Sequence, residues 1–531
     1  MSATISFYHP FHTEKNYGDG LPMLMAIEQD MCQLSASLRE KPEYWRKITD
    51  KAICAKWKSE MVQQLTEAGH ASYLVNVAAD FVLDELLDYA ALRDASTGIE
   101  VSCWDSVWQS DSLVPEKVQQ VLRDGVKILE DVPDIEKDWH PRSDGLVLDL
   151  VHPSLYPFVY GQTIVNPPAA TRNEVIKHYV LNDPMTSIKH SWLPTDFSIN
   201  AAGKAQAKGY INNLAHEHTA LYSTIENIVT AFVPLFERVL SDLAKPIPQR
   251  VSSYERLGEP RDSDCEDQEE MDEKYNEWCT DASNIRIHVP WYSGQLIRVP
   301  SYSLRDRDIQ VVVKLANIIL TPGSPKYPGG SWHIEGMMNE RIAASGIYYY
   351  DEQNITESRL AFRAAVSEPK YEQNDRDGCS VIWGLHDEET LIQDRGSVAT
   401  KAGRAIAFPN ILQHRVSPFE LVDTLRPGHR KILALFLIDP AVHIFSTSDV
   451  PMQQRDWFLN SLVDAIGTDP SSCHLAKLPR ELLDMIVSMC PHFMTKDQAF
   501  KIREELMDER TNFARQNDDR YFRASFSLCE H

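Results

Sequence analysis

The sequence has few basic residues and lacks a long apolar segment. It contains 53 Lys and Arg residues against 77 Asp and Glu residues, which gives a formal net charge of −24 at pH 7. Because binding to the phosphate backbone requires a basic surface, we expect no general affinity for nucleic acids. No uninterrupted apolar run approaches the roughly 20 residues that span a bilayer. A membrane protein is therefore not expected.

Paired cysteines and a secretory signal are also missing. The nine cysteines are scattered along the chain. They include no Cys-x-x-Cys motif, which favours reduced thiols. Residues 1–10 show no basic segment followed by an apolar one, as a signal peptide would require. These observations predict a cytoplasmic protein.

The length and the apolar spacing predict more than one packing unit. The chain has 531 residues, and single cores rarely grow beyond about 250 to 300 residues. Apolar residues spaced by three and four predict helices within 21–94 and over 218–243, and again from 453 to 528. Between them, short strand-like segments occur at 295–299, 310–315, 346–350 and 431–436.

We therefore predict an α+β protein in three regions. The first, 1–283, is mainly helical; the second, 284–445, is a double-stranded β-helix (jelly roll); and the third, 446–531, is helical. Short strands without crossover helices between them favour antiparallel sheets of this kind. Within the first region, the acidic stretch near 259–277 predicts a solvated loop, because runs of like charge favour exposure.

One short motif, GSWHIEG at residues 330–336, carries the candidate chemistry. Residues two apart on a strand point to the same face, so His333 and Glu335 could bind one metal ion. His414, which lies downstream, would complete the ligand set. Two imidazoles and one carboxylate on one face of an octahedral ion leave other positions open, as in non-haem Fe(II) oxygenases. The same ligands suit hydrolytic zinc, which stays an alternative.

The order of residues around this motif resembles that of the 2-oxoglutarate-dependent Fe(II) dioxygenases. The dipeptide Phe408-Pro409 precedes His414, and Arg430 follows on a later predicted strand. In that superfamily, a Phe-Pro segment leads to the distal iron histidine, and a basic residue on a later strand holds the distal carboxylate of the co-substrate. The resemblance implies Fe(II), 2-oxoglutarate as co-substrate and molecular oxygen. It also favours iron over zinc.

The same resemblance implies residues for the co-substrate. Arg430 fits best, because a guanidinium matches the two oxygens of a carboxylate, whereas its neighbour Lys431 offers a point charge. If the strand alternates, only one of these two side chains faces inward. Tyr349 or Tyr348 would hydrogen-bond the co-substrate. Glu335 departs from the Asp that is common at its motif position, so hydroxylation, desaturation and ring formation all stay open.

Further segments carry a second resemblance: WHIEGMMNE at 332–340, YYYD at 348–351, NITESRLAFR at 354–363, DWHP at 138–141, VHPSLY at 151–156 and LPTDF at 193–197. They resemble a fungal family of unknown function, DUF4246. This resemblance covers most of the chain but implies no substrate.

The sequence thus predicts an Fe(II)- and 2-oxoglutarate-dependent oxygenase that hydroxylates a small metabolite. A protein hydroxylase is one alternative, and a non-catalytic binding protein is another. A third is an F-box-like adaptor, because LPRELLDMI at 478–486 faintly resembles the opening of an F-box helix. An amphipathic helix that begins at a proline accounts for the same residues without a partner.

Overall fold

The computed structural model describes residues 7, 21–166, 186–261, 263, 265–294, 296, 300–372, 375–468 and 478–528. The α-helices in these ranges are α1 (Ala26–Arg39), α2 (Tyr44–Lys47), α3 (Lys51–Glu67), α4 (Ser72–Leu92), α5 (Glu116–Glu130), α6 (Thr219–Ala244), α7 (Gln268–Thr280), α8 (Arg376–Trp383), α9 (Arg455–Thr468), α10 (Arg480–Ser488) and α11 (Lys496–Asn517).

The strands before residue 300 have at most five residues, and the five longest strands all follow it. In chain order, the strands are β1 (Glu100–Val101), β2 (Trp108–Ser110), β3 (Val147–Val151), β4 (Phe158–Val159), β5 (His190–Ser191), β6 (Thr195–Ile199), β7 (Ala205–Ala207), β8 (Ser253–Arg256), β9 (Ile285–His288), β10 (Arg307–Leu320), β11 (Lys326–Tyr327), β12 (Ile342–Gln353), β13 (Ser358–Ala365), β14 (Ile392–Thr400), β15 (Ala405–Pro409), β16 (Gln413–Val416), β17 (Phe419–Glu420) and β18 (Gly428–Ile438).

The largest sheet has nine strands in the order β1-β2-β15-β12-β18-β10-β6-β7, with β3 also paired to β10. All of these pairs are antiparallel. Every residue of β12 from Ile342 to Tyr350 is buried. Continuous burial of a strand means that both faces of the sheet are covered.

One face of the large sheet packs against a second sheet. This second sheet has three strands in the order β14-β13-β16. Leu360 and Phe362 of β13 share a buried hydrophobic cluster with Phe408 of β15 and Phe436 of β18. The rings of Phe362 and Phe408 meet edge to face with centroids 5.0 Å apart. The two sheets therefore enclose a common core.

Helix α6 covers the opposite face of the large sheet. Its Phe232 and Phe236 belong to a separate hydrophobic cluster that includes Ala344 of β12. Gly346 lies directly beneath the helix: a Cβ atom there would be 2.7 Å from the Phe232 ring and 2.9 Å from that of Phe236. The absence of a side chain at this position lets helix and strand pack in contact.

Alanine at Gly346 is expected to lower the free energy of unfolding by about 1 to 3 kcal/mol, the usual cost of overpacking a core. Equilibrium denaturation by urea would measure the change. Gly323→Ala is the matched control. A Cβ atom at Gly323 would meet only Thr321 Oγ1, at 3.9 Å, and the φ angle of Gly323 is not positive, so alanine is not strained there. Equal losses of stability in the two variants would contradict this account of the packing.

The longest predicted elements are confirmed. The predicted helix 218–243 is α6, and the strand-like segments 310–315, 346–350 and 431–436 lie in β10, β12 and β18. The C-terminal part forms α9, α10 and α11. Of the fourth predicted strand, 295–299, only residue 296 is among the described residues, so the structure does not test it.

The predicted acidic loop is wrong from residue 268 onward, because α7 (Gln268–Thr280) occupies that part. Asp267 caps the helix, with its carboxylate accepting the N–H of Glu270. Glu269 and Glu270 lie in the first turn, where negative charge stabilises a helix through its dipole. Local capping thus outweighs the repulsion of like charges on an exposed surface.

The chain combines helices with a large antiparallel sheet, as the α+β expectation requires. Five strands of this sheet, β1, β2, β3, β6 and β7, come from before residue 284. The sheet is therefore not confined to 284–445. The division of the chain into three regions stays a prediction.

No helix among the described residues has both the length and the apolar character needed to cross a membrane. The seven cysteines in the described ranges are free thiols.

Candidate metal centre

Backbone pairing brings the two predicted histidines together. The N–H of His333 donates to the carbonyl of His414 at 3.2 Å, and the N–H of His414 donates to the carbonyl of His333 at 2.9 Å. This isolated antiparallel bridge connects the GSWHIEG segment to β16. Directly opposed residues in such a pair point to the same side. The two imidazole rings accordingly lie side by side, with centroids 4.4 Å apart.

The carboxylate of Glu335 is close to both imidazoles. The Nε2 atoms of His333 and His414 each lie 3.6 Å from Oε1 of Glu335. Ligand atoms from all three residues lie within 4.8 Å of one another. Metal–ligand bonds of about 2.1 Å place neighbouring donor atoms roughly 3 Å apart. Small side-chain movements would therefore bring the three donors to bonding distance of one ion.

The electrostatics of the triad favour the ligand forms of Glu335 and His414, whereas at His333 the attraction of the Glu335 carboxylate outweighs burial and raises the imidazole pKa. Burial by itself would raise the pKa of Glu335, but the neighbouring imidazoles of His333 and His414 hold that pKa well below its usual value. Burial lowers the pKa of His414, and the nearby charge of His333 lowers it further. An ionised carboxylate and a neutral imidazole are the states that bind a metal ion.

His333 has the tautomer that a metal ligand needs. Its Nδ1 lies 2.9 Å from the carbonyl oxygen of Ser331. A carbonyl only accepts hydrogen bonds, so Nδ1 carries a proton, and in the neutral ring Nε2 has the lone pair that a metal ion would bind. The His333 side chain is 40 % exposed, against 4 % for His414 and 17 % for Glu335. The open side of the triad therefore lies at His333.

Asn410, which the sequence analysis did not single out, holds Glu335 in place. Its Oδ1 accepts the N–H of Glu335 at 2.9 Å, and its Nδ2 donates to the carbonyl of Glu335 at 2.8 Å. Nδ2 also donates to the carbonyl of Ile342 at 3.1 Å. The only signal in the sequence is an Asn directly after Phe408-Pro409. Asn410 is a positioning residue: its side chain holds the backbone of Glu335 and does not itself reach the metal site.

Replacing Asn410 by alanine is expected to weaken metal binding by about 10- to 100-fold, as is typical when the partner of a metal ligand is lost. Competition with a chelator of known affinity would measure the change. Asn212→Ala is the control, because Asn212 is also buried and donates to two backbone carbonyls, those of Leu155 and Tyr156. It should lose stability without losing metal affinity; a similar loss of affinity in both variants would refute the role of Asn410.

Arg430 is a buried cation on the same side of the large sheet as the triad. Its side chain donates to Ser358 and Thr400, and its Nε has no hydrogen-bond partner. Among the described residues, no carboxylate forms an ion pair with it. Its guanidinium carbon lies 5.4 Å from the ring centroid of Tyr349. Because an unpaired buried charge is costly, this environment is suited to an anionic ligand.

Strand alternation places the four predicted co-substrate residues on two opposite faces of the large sheet. Tyr349 lies in the hydrophobic cluster that joins the two sheets, whereas Tyr348 lies in the cluster beneath α6 on the opposite face. Lys431 also points to that face, where its Nζ is 2.9 Å from both carboxylate oxygens of Glu130. The structure thus corrects two of the predicted alternatives: Lys431 and Tyr348 face away from the triad. The roles of Arg430 and Tyr349 stay predictions.

Helix α11 lies against the segment that carries the triad. Phe513 and Met338 both pack on Ile334, the residue between the first two ligands. Arg510 donates to the fully buried carboxylate of Glu340, which also accepts the N–H of Trp192 at 2.7 Å. No sequence signal indicated these contacts, because they join segments that are far apart in the chain.

A second group of potential ligands comprises His140, Asp149 and His152. Here the hydrogen bonds argue against a metal ion. Nδ1 of His152 accepts the N–H of Ser154 at 3.2 Å, so the proton of the neutral ring lies on Nε2, the nitrogen nearest Asp149. Arg503 places a positive charge 3.7 Å from the Asp149 carboxylate. We therefore assign the candidate metal centre to His333, Glu335 and His414.

The donor set of this centre, two neutral imidazoles and one carboxylate with an accessible side, fits Fe(II) in the arrangement known from non-haem iron enzymes. It also fits catalytic zinc.

The chain belongs to the family described as "Protein of unknown function (DUF4246)", whose model matches residues 76–461. A further model, "Domain of unknown function DUF4246, N-terminal", matches residues 2–60. The family resemblance in the sequence is thereby confirmed. No curated protein matches this sequence.

Solved structures with some likeness to the chain include dioxygenases. The Fe(II)/α-ketoglutarate-dependent dioxygenase TqaL is 9% identical, with a TM-score of 0.24, over 63% of this chain and 94% of its own. The rice dioxygenase for auxin oxidation is 12% identical, with a TM-score of 0.26, over 67% and 79%. A BsmA homologue from Methylobium petroleophilum is 8% identical, with a TM-score of 0.24, over 61% and 86%.

Proposed function

We propose that this protein is an Fe(II)- and 2-oxoglutarate-dependent oxygenase that hydroxylates a small metabolite. The observation that carries the proposal is the combination of His333, Glu335 and His414 with Arg430 on one side of the large sheet. A metal triad or a buried arginine alone also occurs in proteins without this chemistry. Together they supply a three-residue iron site and a buried anchor for an oxoacid, which is the set that this chemistry requires.

Each of these residues has a defined task in the proposed reaction. His333, Glu335 and His414 would hold Fe(II), which when bound supplies the activation of oxygen. Arg430 would bind the distal carboxylate of 2-oxoglutarate, with Ser358 and Thr400 fixing its guanidinium. Asn410 keeps Glu335 in register with the histidines. The apolar cluster between the sheets would exclude water around the co-substrate and so strengthen its ion pair with Arg430.

The proposed fold of this core is a jelly roll. Two antiparallel sheets that enclose a common core, with the metal ligands at one end, support it. Molecular oxygen and a small substrate would approach from the exposed side of His333. A small metabolite is proposed as the substrate in preference to a protein side chain. The cytoplasmic location and the fungal origin stay predictions.

The deciding experiment is an anaerobic titration with Fe(II) and 2-oxoglutarate, followed through the visible charge-transfer band of the ternary complex. The parent protein should develop the band, and His333→Ala should not. Succinate release with candidate metabolites would then address the substrate. Absence of the band in a folded, iron-loaded parent would refute the proposal. Hydrolytic activity with zinc and no band with Fe(II) would favour the zinc alternative.

A second candidate function, an F-box-like adaptor, has one observation in its favour. Helix α10 buries Leu483 and Val487, but Leu482, Met485 and Ile486 on the same helix are 42%, 59% and 45% exposed. An adaptor would lose its partner when Met485 and Ile486 are both changed to Glu and keep it in His333→Ala. If the protein is an oxygenase, the Met485 and Ile486 double variant should keep turnover and His333→Ala should lose it.

A further inference from the structure

A cavity of about 300 Å³ lies at the edge of the three-stranded sheet, and none of the residues that line it belongs to the metal triad. Its walls are α1, the loop that follows β1, and the edge strand β14 with part of β13. Arg395 of β14 and Trp104 of the loop line it, together with Cys32 and Cys103. Ligand pockets in proteins measure about 300 to 1,000 Å³. The cavity therefore has room for one small molecule.

Arg395 lies at a β-bulge in β14. Two residues of this strand, Arg395 and Gly396, lie opposite the single residue Phe362 of β13. Gly396 has a φ of 80°, and a Cβ atom there would be 3.1 Å from Cβ of Cys103. An extra residue of this kind re-aims the side chain next to it. The guanidinium of Arg395 accordingly lies on the cavity wall over the ring of Trp104, with its central carbon 4.4 Å from the ring centroid.

Arg395 is a buried cation without an ion pair in the part of the chain that the structure describes. It is 2 % exposed. Both Nη atoms share one acceptor, Oε1 of Gln393, at 3.3 Å each, and Nε has no hydrogen-bond partner among the described residues. Burial lowers the pKa of Arg395 to about 10, which leaves the group charged at pH 7. Because a guanidinium has five N–H groups and an unpaired buried charge is costly, this environment suits an anionic ligand.

The remaining charged groups of the wall limit the charge that a ligand can carry. Arg359 forms salt bridges with Glu40 and with Glu357, so it is already neutralised. Asp394 is exposed to solvent, where its charge is screened. A second negative charge on the ligand would meet Glu40 and Asp394 instead of a cation. The wall therefore favours an anion with a single charge.

The cavity is separate from the proposed anchor of the co-substrate. Thr400, which accepts a hydrogen bond from Arg430, lies five residues beyond Arg395 on β14. At about 3.3 Å per strand residue, this offset amounts to roughly 15 Å. A molecule bound at Arg395 therefore occupies a site of its own.

We propose that this cavity binds a small monocarboxylic acid, with Arg395 holding the carboxylate. A guanidinium can lie over an aromatic ring and still present its N–H groups to the two oxygens of a carboxylate. The apolar part of the acid would lie against Cys32, Ala36 and Cys103, which also line the cavity. This inference does not depend on the proposed oxygenase activity, because neither iron nor the triad takes part in it.

Isothermal titration calorimetry of the iron-free, full-length protein tests the proposal, with benzoate as the probe. The parent protein should bind benzoate and should not bind benzamide, which has a similar shape but no charge. Arg395→Met should weaken benzoate binding about 10- to 100-fold, as expected for loss of charge-assisted hydrogen bonds. No binding of benzoate by the parent, equal binding of benzamide, or tighter binding of phenylphosphonate than of benzoate would overturn the proposal.

Two further variants complete the test. Ala36→Phe fills the cavity and leaves Arg395 in place, so it should also lose benzoate binding, and it decides the question if Arg395→Met does not fold. Arg430→Met is the matched control, because it removes the other buried guanidinium and should keep the parental affinity. If Arg430→Met loses benzoate binding and Arg395→Met keeps it, the acid binds at the co-substrate anchor and the proposal is rejected. Unchanged benzoate affinity in Arg395→Met with a lower melting temperature would reject it as well, since Arg395 would then serve stability alone.

Discussion

Alanine at His414 is expected to weaken Fe(II) binding by more than about 100-fold and to abolish turnover. Loss of a partner of a metal ligand commonly costs about 10- to 100-fold in affinity, and loss of a ligand itself costs more. His414 is also the most buried member of the triad, with 4 % of its side chain exposed. Water therefore has little access to replace the missing imidazole. Anaerobic equilibrium dialysis with Fe(II) would measure the affinity, and succinate release would measure turnover.

His140→Ala provides the control for this prediction. His140 belongs to the second His–Asp–His group, where it is bonded to Asp149. Its removal should leave one Fe(II) ion bound with unchanged affinity. If His140→Ala lost the metal and His414→Ala kept it, the assignment of the two groups would be reversed.

The second large effect is expected at Arg430. Arg430→Met should weaken binding of 2-oxoglutarate by roughly 30-fold or more, since truncating one partner of a buried charge pair costs about 2 to 5 kcal/mol. Binding of Fe(II) should be nearly unchanged, because Arg430 is not a metal ligand. Titration of the charge-transfer band at fixed Fe(II) separates the two constants.

The chain offers a neighbouring residue as the matched control for Arg430. Lys431→Met removes a cation of the same strand, but one that is paired with Glu130 on the opposite face. It should lower stability and leave the affinity for 2-oxoglutarate unchanged. Equal losses of 2-oxoglutarate affinity in Arg430→Met and Lys431→Met would show that the effect is not specific to the inner face.

The sequence by itself predicted the residues of the candidate site. His333 and Glu335 lie in one short motif, and the order of Phe408-Pro409, His414 and Arg430 follows a pattern known from one superfamily. These signals are local, because residue type and spacing along a strand need no knowledge of the remaining chain. Long periodic elements such as α6 and β18 were predictable for the same reason.

Other features depended on segments that are distant in sequence. Asn410 holds Glu335 from 75 residues away, and Arg510 of α11 binds Glu340 from 170 residues away. The short strands β1, β2 and β7 carry little periodicity of their own. They are strands because they pair with neighbours that are distant or equally short: β1 with β2, β2 with β15, and β7 with β6. The helix in the acidic stretch begins at a cap, Asp267. The high acidic content of this stretch favoured a loop in the sequence analysis, so the cap was not recognised.

The sequence alone determined which residue types are available for a metal and an oxoacid, because ligand chemistry belongs to the side chain. Only the tertiary structure decided which of them share a face. Arg430 and Lys431 are adjacent and both basic, and Tyr348 and Tyr349 are adjacent and both aromatic. Successive side chains of a strand point to opposite faces. Arg430 and Tyr349 therefore lie on the face that bears the triad, whereas Tyr348 lies beneath α6 and Lys431 is paired with Glu130 on the opposite face.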